Sequence, residues 1–125
     1  MRKIGLFGGS FNPIHDGHIA VAKAVRKEFH LNEIWFLPSV STPLKEKLQV
    51  SFANRCHMIS LAIHPYRYMK LSKVEETLPS PSYTFNTVSK LRKQFIDVEF
   101  YWIIGYDQYE QLEQWHRIGE LKEML

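Results

Sequence analysis

Short apolar runs alternate along the chain with longer stretches whose apolar residues recur every three or four positions. Ile4 to Phe7 is apolar and closed by Gly8-Gly9, the pattern of a short buried strand. Gly17 to Phe29 then sets Ile19, Ala22, Val25 and Phe29 on one face and keeps Lys23, Arg26 and Lys27 off it, which predicts an amphipathic helix. Ile34 to Leu37, stopped by Pro38, predicts a second buried strand. Ser39 to Val50 is polar, carries Pro43, Lys45 and Lys47, and predicts a loop. Ser51 suits the N-cap of a helix running to about Ile63, with Phe52, Cys56, Ile59 and Ile63 at helical spacing. Tyr68 to Val74 alternates as a third, more exposed strand, Thr84 to Phe95 is a third helix bringing Val88, Leu91 and Phe95 into register, and Val98 to Ile104 is a fourth strand ending at Gly105. A last helix is expected from about Ile118 to Leu125.

A strand–helix alternation repeated in this way predicts the α/β class: a Rossmann-like, doubly wound parallel sheet of four strands with helices on both faces. In such sheets ligands bind at the carboxyl ends of the strands, near the switch in strand order. The loops of interest are therefore those after Phe7, Leu37, Val74 and Ile104.

Composition narrows the class further. The 125 residues form one domain, with 45% hydrophobic residues and enough length for a core without a disulfide or metal. The longest apolar run, Phe100 to Ile104, is far short of the roughly 20 residues a membrane span needs, so no membrane partner is expected. The basic start is followed by too short an apolar segment for a signal peptide, and the single cysteine, Cys56, excludes an intrachain disulfide; both point to the cytoplasm. A net charge of +3, with Lys and Arg interspersed among Glu, argues against a nucleic-acid partner and suits a small anionic ligand. Cys56 and His57 are expected to pack within their helix.

The strongest local signal is Gly8-Gly9-Ser10-Phe11-Asn12-Pro13-Ile14-His15-Asp16-Gly17-His18, which runs from the first strand into the first helix. Glycines allow close approach of a ligand to the backbone, and the N–H groups of a helix start attract phosphate. His15 and His18, three apart, can face one point above that helix start, an arrangement suited to clamping an anion. The string is neither a Walker A loop nor a Gly-x-Gly-x-x-Gly fingerprint. A bare tight turn, or a metal site built on the histidines, are the plainer alternatives; a zinc site is disfavoured because the one cysteine lies in another helix.

The stretch Gly8 to His18 resembles the signature of the nucleotidyltransferase superfamily. Glu33-Ile34-Trp35-Phe36-Leu37-Pro38, Asn54-Arg55, Pro81-Ser82-Tyr83-Thr84, Ile103-Ile104-Gly105 and Trp115 are similar to segments of bacterial nicotinate-nucleotide adenylyltransferases. The resemblance implies transfer of AMP from ATP to nicotinate mononucleotide in NAD biosynthesis, with release of pyrophosphate, Mg²⁺ bridging the phosphates and no covalent intermediate. It implies that His15 and His18 are catalytic, that Gly8, Gly9, Ser10, Phe11, Gly105 and Asp107 join them in binding ATP, and that Lys45, Tyr83, Thr84, Trp115 and His116 bind the mononucleotide. Without it, a Trp between helices reads as core and Lys45 as a solvated loop residue.

Asn12 stands where the family usually has Asp, Leu44 where it has His, Tyr106 where it has a small residue, and His116 where it often has Tyr. The resemblance also implies a longer enzyme: a C-terminal third with a fifth strand would follow Leu125, leaving the fourth strand an exposed edge through which a homo-oligomer could form. The alternatives are a truncated or degenerate nucleotide-binding module with little turnover, and a related transferase acting on phosphopantetheine.

Overall fold

The computed structural model describes residues 2–9, 11, 13–38, 51–74 and 84–103. In chain order the elements are β1 (Arg2–Gly9), α1 (Asp16–Phe29), β2 (Glu33–Pro38), α2 (Phe52–Ile63), β3 (Met69–Leu71), α3 (Thr84–Gln94) and β4 (Val98–Ile103). All strand pairs are parallel and the sheet order is β3-β2-β1-β4. The expected α/β architecture is therefore present.

The two faces of the sheet separate by the period-2 rule of a strand. Phe7, Ile34, Phe36 and Ile103 join Ala22 of α1 and Ile59 and Ile63 of α2 in one core. Ile4, Leu6, Leu37 and Phe100 join Val88 and Leu91 of α3 in the other. The chain thus steps outward through β2 to β3 with its helices on one face, then returns past β1 to β4 with α3 on the opposite face. One handedness of crossover requires this arrangement. It puts the switch in strand order between β1 and β4, so the carboxyl ends of these two strands flank the crevice where ligands bind.

Five expectations need correction. β1 is longer than Ile4 to Phe7, because Gly8 and Gly9 stay in the ladder opposite Leu37 and Pro38. β3 is shorter than Tyr68 to Val74: Ser72 N–H still donates to the Phe36 carbonyl at 2.9 Å, but the chain then leaves the edge and Val74 turns into the α3-side core. Phe29 does not join the core face of α1 but is 55% exposed. His30 ends that helix in the left-handed conformation, φ 54°, and the reversal sends Leu31 into the core instead. Phe95, also expected inside, is 40% exposed while its ring lies edge-on to Trp35. In α2, Ser51 Oγ accepts from Asn54 N–H as expected of a cap, Cys56 is buried, and His57 faces out rather than packing.

At the switch point, Trp102 of β4 lies against Gly8 of β1. A Cβ on Gly8 would sit 2.6 Å from Cζ2 and 2.7 Å from Cη2 of the indole, so the ring occupies the space a side chain would need. The glycine is set by packing between neighbouring strands, since its φ is not positive. Gly8→Ala is expected to destabilise by about 1–3 kcal/mol through overpacking. In a Trp102→Leu background urea denaturation should show a clearly smaller penalty, whereas an undiminished one would place the cause elsewhere.

Candidate functional site

The start of α1 is closed by two imidazoles. His15, the N-cap, has an extended backbone, and its Nδ1 accepts a hydrogen bond from the Gly17 N–H at 3.1 Å. His15 N–H in turn donates to Nδ1 of His18 at 3.0 Å. This is a capping box in which histidines take the roles usually held by Ser or Thr and Glu. The rings lie with centroids 3.9 Å apart and 30° between planes, so the expected convergence on one point is present.

The cap fixes more than the helix end. A neutral imidazole whose Nδ1 accepts carries its proton on Nε2. Each ring therefore receives a backbone N–H on one edge and offers an N–H on the other. Two of the helix-start N–H groups expected to meet an anion directly are occupied by the rings, and the rings pass the positive end of the helix dipole outward through Nε2–H.

Gly17 is explained by the same cap. Its Cβ would lie 2.9 Å from Cε1 and 3.0 Å from Nδ1 of His15, so a side chain there would push the ring off the helix start. Gly9 differs, since a Cβ would meet only the Phe11 ring at an ordinary 3.8 Å, which leaves open room beside the backbone. Behind the histidines lies an aromatic cluster. Phe11 is 3% exposed and stands 5.0 Å from the His18 ring, 5.4 Å from Phe7 and 5.5 Å from Phe36, centroid to centroid. Its φ of 47° is left-handed, which a bulky side chain rarely adopts.

Of the residues expected at the site, Gly8, Gly9, Phe11, His15 and His18 are brought together at the carboxyl end of β1. Ser10, Lys45, Tyr83, Gly105, Asp107, Trp115 and His116 lie outside the described residues, as do Asn12, Leu44 and Tyr106; Thr84 is placed only as the first residue of α3. Beyond the ATP-binding part that the resemblance implies for Phe11, the structure sets the rings of Phe7 and Phe11 against His18. The odd spacing of three aromatics, Phe7, Phe11 and Phe36, with the histidine motif was the available signal. Among the described residues no group of three His, Cys, Asp or Glu could hold a metal, and no helix is long and apolar enough to cross a membrane.

Burial, followed by the repulsion His15 would exert on a second proton, holds the His18 pKa below the ordinary histidine value of 6.5. Protonation would also turn Nδ1 into a donor facing the His15 N–H. A histidine with a lowered folded-state value is less protonated folded than unfolded, so the folded state loses stability as pH falls from about 6.5 through the His18 value and keeps its full contribution above. Thermal melts across this range should show His18→Gln, which keeps an acceptor and does not titrate, with a shallower acid loss than the parent. Identical profiles would remove His18 as the cause.

The cytidylyltransferase-like family model matches residues 6–125. The chain is 44% identical over its whole length to the Bacillus licheniformis protein named "Probable nicotinate-nucleotide adenylyltransferase", and 39% identical to the nicotinate-nucleotide adenylyltransferase of Bacillus subtilis; it covers 67% of each. The chain thus spans about two thirds of the length of these curated relatives. In fold it is similar to Plasmodium falciparum nicotinic acid mononucleotide adenylyltransferase complexed with NaAD, with a TM-score of 0.82 at 20% identity, over 97% of this chain and 60% of that one. With its motif folded as a helix-capping histidine pair at the switch point of a doubly wound sheet, the chain belongs to the cytidylyltransferase-like family, among the nicotinate-nucleotide adenylyltransferases.

Proposed function

We propose that the protein transfers AMP from ATP to nicotinate mononucleotide, releasing pyrophosphate and forming the dinucleotide precursor of NAD. The observation that carries the reading is the reciprocal cap, which aims Nε2–H of His15 and His18 outward from the start of α1 beside the β1–β4 crevice. The identity to named adenylyltransferases supports the choice of mononucleotide and disfavours phosphopantetheine as acceptor.

In this reaction a phosphate oxygen of the mononucleotide attacks the α-phosphorus of ATP. The bond from that phosphorus to the bridging oxygen breaks, and pyrophosphate leaves with the electron pair. Neither imidazole forms a bond to phosphorus. Their work is to hold the phosphates in line and to donate hydrogen bonds to oxygens whose charge grows in the transition state. A neutral His18 is suited to this because its donor is aimed before substrate arrives.

Mg²⁺ enters as part of the substrate, held by the phosphate oxygens of ATP. The described part of the site does not itself suit that ion, since a hard cation requires oxygen ligands and the imidazole edges presented here are N–H donors. Asp107, Gly105 and Ser10 are assigned to the nucleotide, and Lys45, Tyr83, Thr84, Trp115 and His116 to the mononucleotide, as parts of the same proposal. Self-association along β4 and a cytoplasmic setting also belong to it.

Purified protein with Mg–ATP should release pyrophosphate only when nicotinate mononucleotide is added. Binding of ATP by calorimetry without any release would favour a nucleotide-binding module instead. His18→Ala is expected to lower kcat about 100-fold while the KM for ATP moves by less than about threefold, because its donor acts most strongly in the transition state. Equal losses in both would make it a binding residue only. Gly17→Ala should lower kcat with little change in melting temperature, because a gain of about 1 kcal/mol in helix propensity offsets the weakened cap. An unchanged kcat would show that the His15 ring position is immaterial.

A further inference from the structure

We propose that the Phe11 side chain is a positioning residue: its buried ring, anchored at the cost of a left-handed backbone, sets the orientation of His18 for its donor role. This rests on the proposed function for what His18 does, but the geometry stands apart from that reading.

The argument begins with backbone strain. Phe11 takes φ 47°, a conformation that costs a residue with a Cβ free energy and suits glycine or asparagine better. Such a residue persists only where its surroundings compensate. Here the compensation is the ring, which is 3% exposed and lodged among Phe7, Phe36 and His18. A backbone that merely needed to turn between Gly9 and Pro13 would not require an aromatic at this point.

His18 shows what the ring achieves. Its imidazole meets Phe11 at 5.0 Å and 70° and Phe7 at 6.0 Å and 66°, both edge-to-face contacts, while His15 stacks on it at 3.9 Å. One edge of the ring is thus pinned by the His15 N–H and two of its flanks by phenyl rings. Rotation about the side-chain bonds would break the Nδ1 hydrogen bond and both aromatic contacts together. Among the described residues His15 is the charged neighbour that acts on His18, and Phe7 and Phe11 set apolar rings against it. Phe7 belongs to the central strand and fills the core whatever the site does. Phe11 lies outside every helix and strand; its ring joins the edge of the same core, reached only through the left-handed backbone, and it is the phenyl ring nearer to the His18 imidazole.

Phe36 provides the control. It is fully buried and, among the described ring pairs, sets its ring against those of Phe7 and Phe11 and not against His18. Phe36→Leu should therefore lower thermal stability much as Phe11→Leu does, without acting on the imidazole. With histidine side chains labelled with ¹⁵N, the His18 ring would be followed through a pH titration in the full chain and in both variants, and kcat and the KM for ATP measured beside it. Phe11→Leu is expected to raise the His18 titration midpoint toward that of an ordinary histidine and to mix its tautomers. It should also lower kcat about tenfold with the KM for ATP changed by less than about threefold. Phe36→Leu should leave tautomer, midpoint and kcat as in the parent.

An unchanged His18 tautomer and midpoint in Phe11→Leu would overturn the proposal, as would equal shifts in both variants. The resonance measurements need no turnover. If the parent transfers no AMP, the proposed function fails while the positioning role is still decided by the imidazole signals.

Discussion

Two imidazoles closing the start of one helix is the constraint to which the rest of the site answers. A helix start leaves backbone N–H groups in need of partners, and most helices supply a hydroxyl or carboxylate. Such a cap would satisfy the backbone but turn an oxygen toward the ligand. His15 and His18 satisfy the same groups and still present N–H outward. Stability of the helix end and readiness to receive phosphate oxygens are obtained from the same two hydrogen bonds. Any change that disturbs one disturbs the other.

The surrounding structure reads as support for that cap. Gly17 leaves space for the His15 ring, while Gly8 lets Trp102 close the seam between β1 and β4 beneath the site. The left-handed backbone at Phe11 costs about 1–2 kcal/mol. Burying its ring returns about 1.5–3 kcal/mol, so the strained conformation holds. Topology supplies the rest, since the order β3-β2-β1-β4 puts the cap, which follows β1, at the switch between β1 and β4.

Periodicity and short motifs make much of this legible in the amino-acid sequence. The seven elements follow from the spacing of apolar residues, and the Ser51 cap from its residue type. The histidine pair was legible because a helix start fixes the relation between positions 15 and 18. What escaped depends on tertiary context. Phe29 has the right spacing for the core, yet a left-handed reversal at His30 gives the place to Leu31. Val74 alternates correctly for a strand, yet the strand ends at Leu71 and Val74 is buried in the α3-side core. The conformation of Phe11 was the least legible, because no local pattern predicts a left-handed phenylalanine. Gly8 was readable as a glycine needed near a ligand, while the indole that excludes its side chain comes from a strand some ninety residues later. The assignments at Lys45, Asp107 and Trp115 rest on the resemblance and fall outside the described residues.

The central claim is that the paired imidazoles are donors preset by the helix start. It is tested most directly by following the ¹⁵N signals of His15 and His18 at pH 7.5 as Mg–ATP is added. The account predicts that both rings already carry their proton on Nε2 in the free protein, and that saturation moves the Nε2 signals while Nδ1 keeps the character of an acceptor. Protons found on Nδ1, or Nε2 signals indifferent to saturating Mg–ATP, would contradict it.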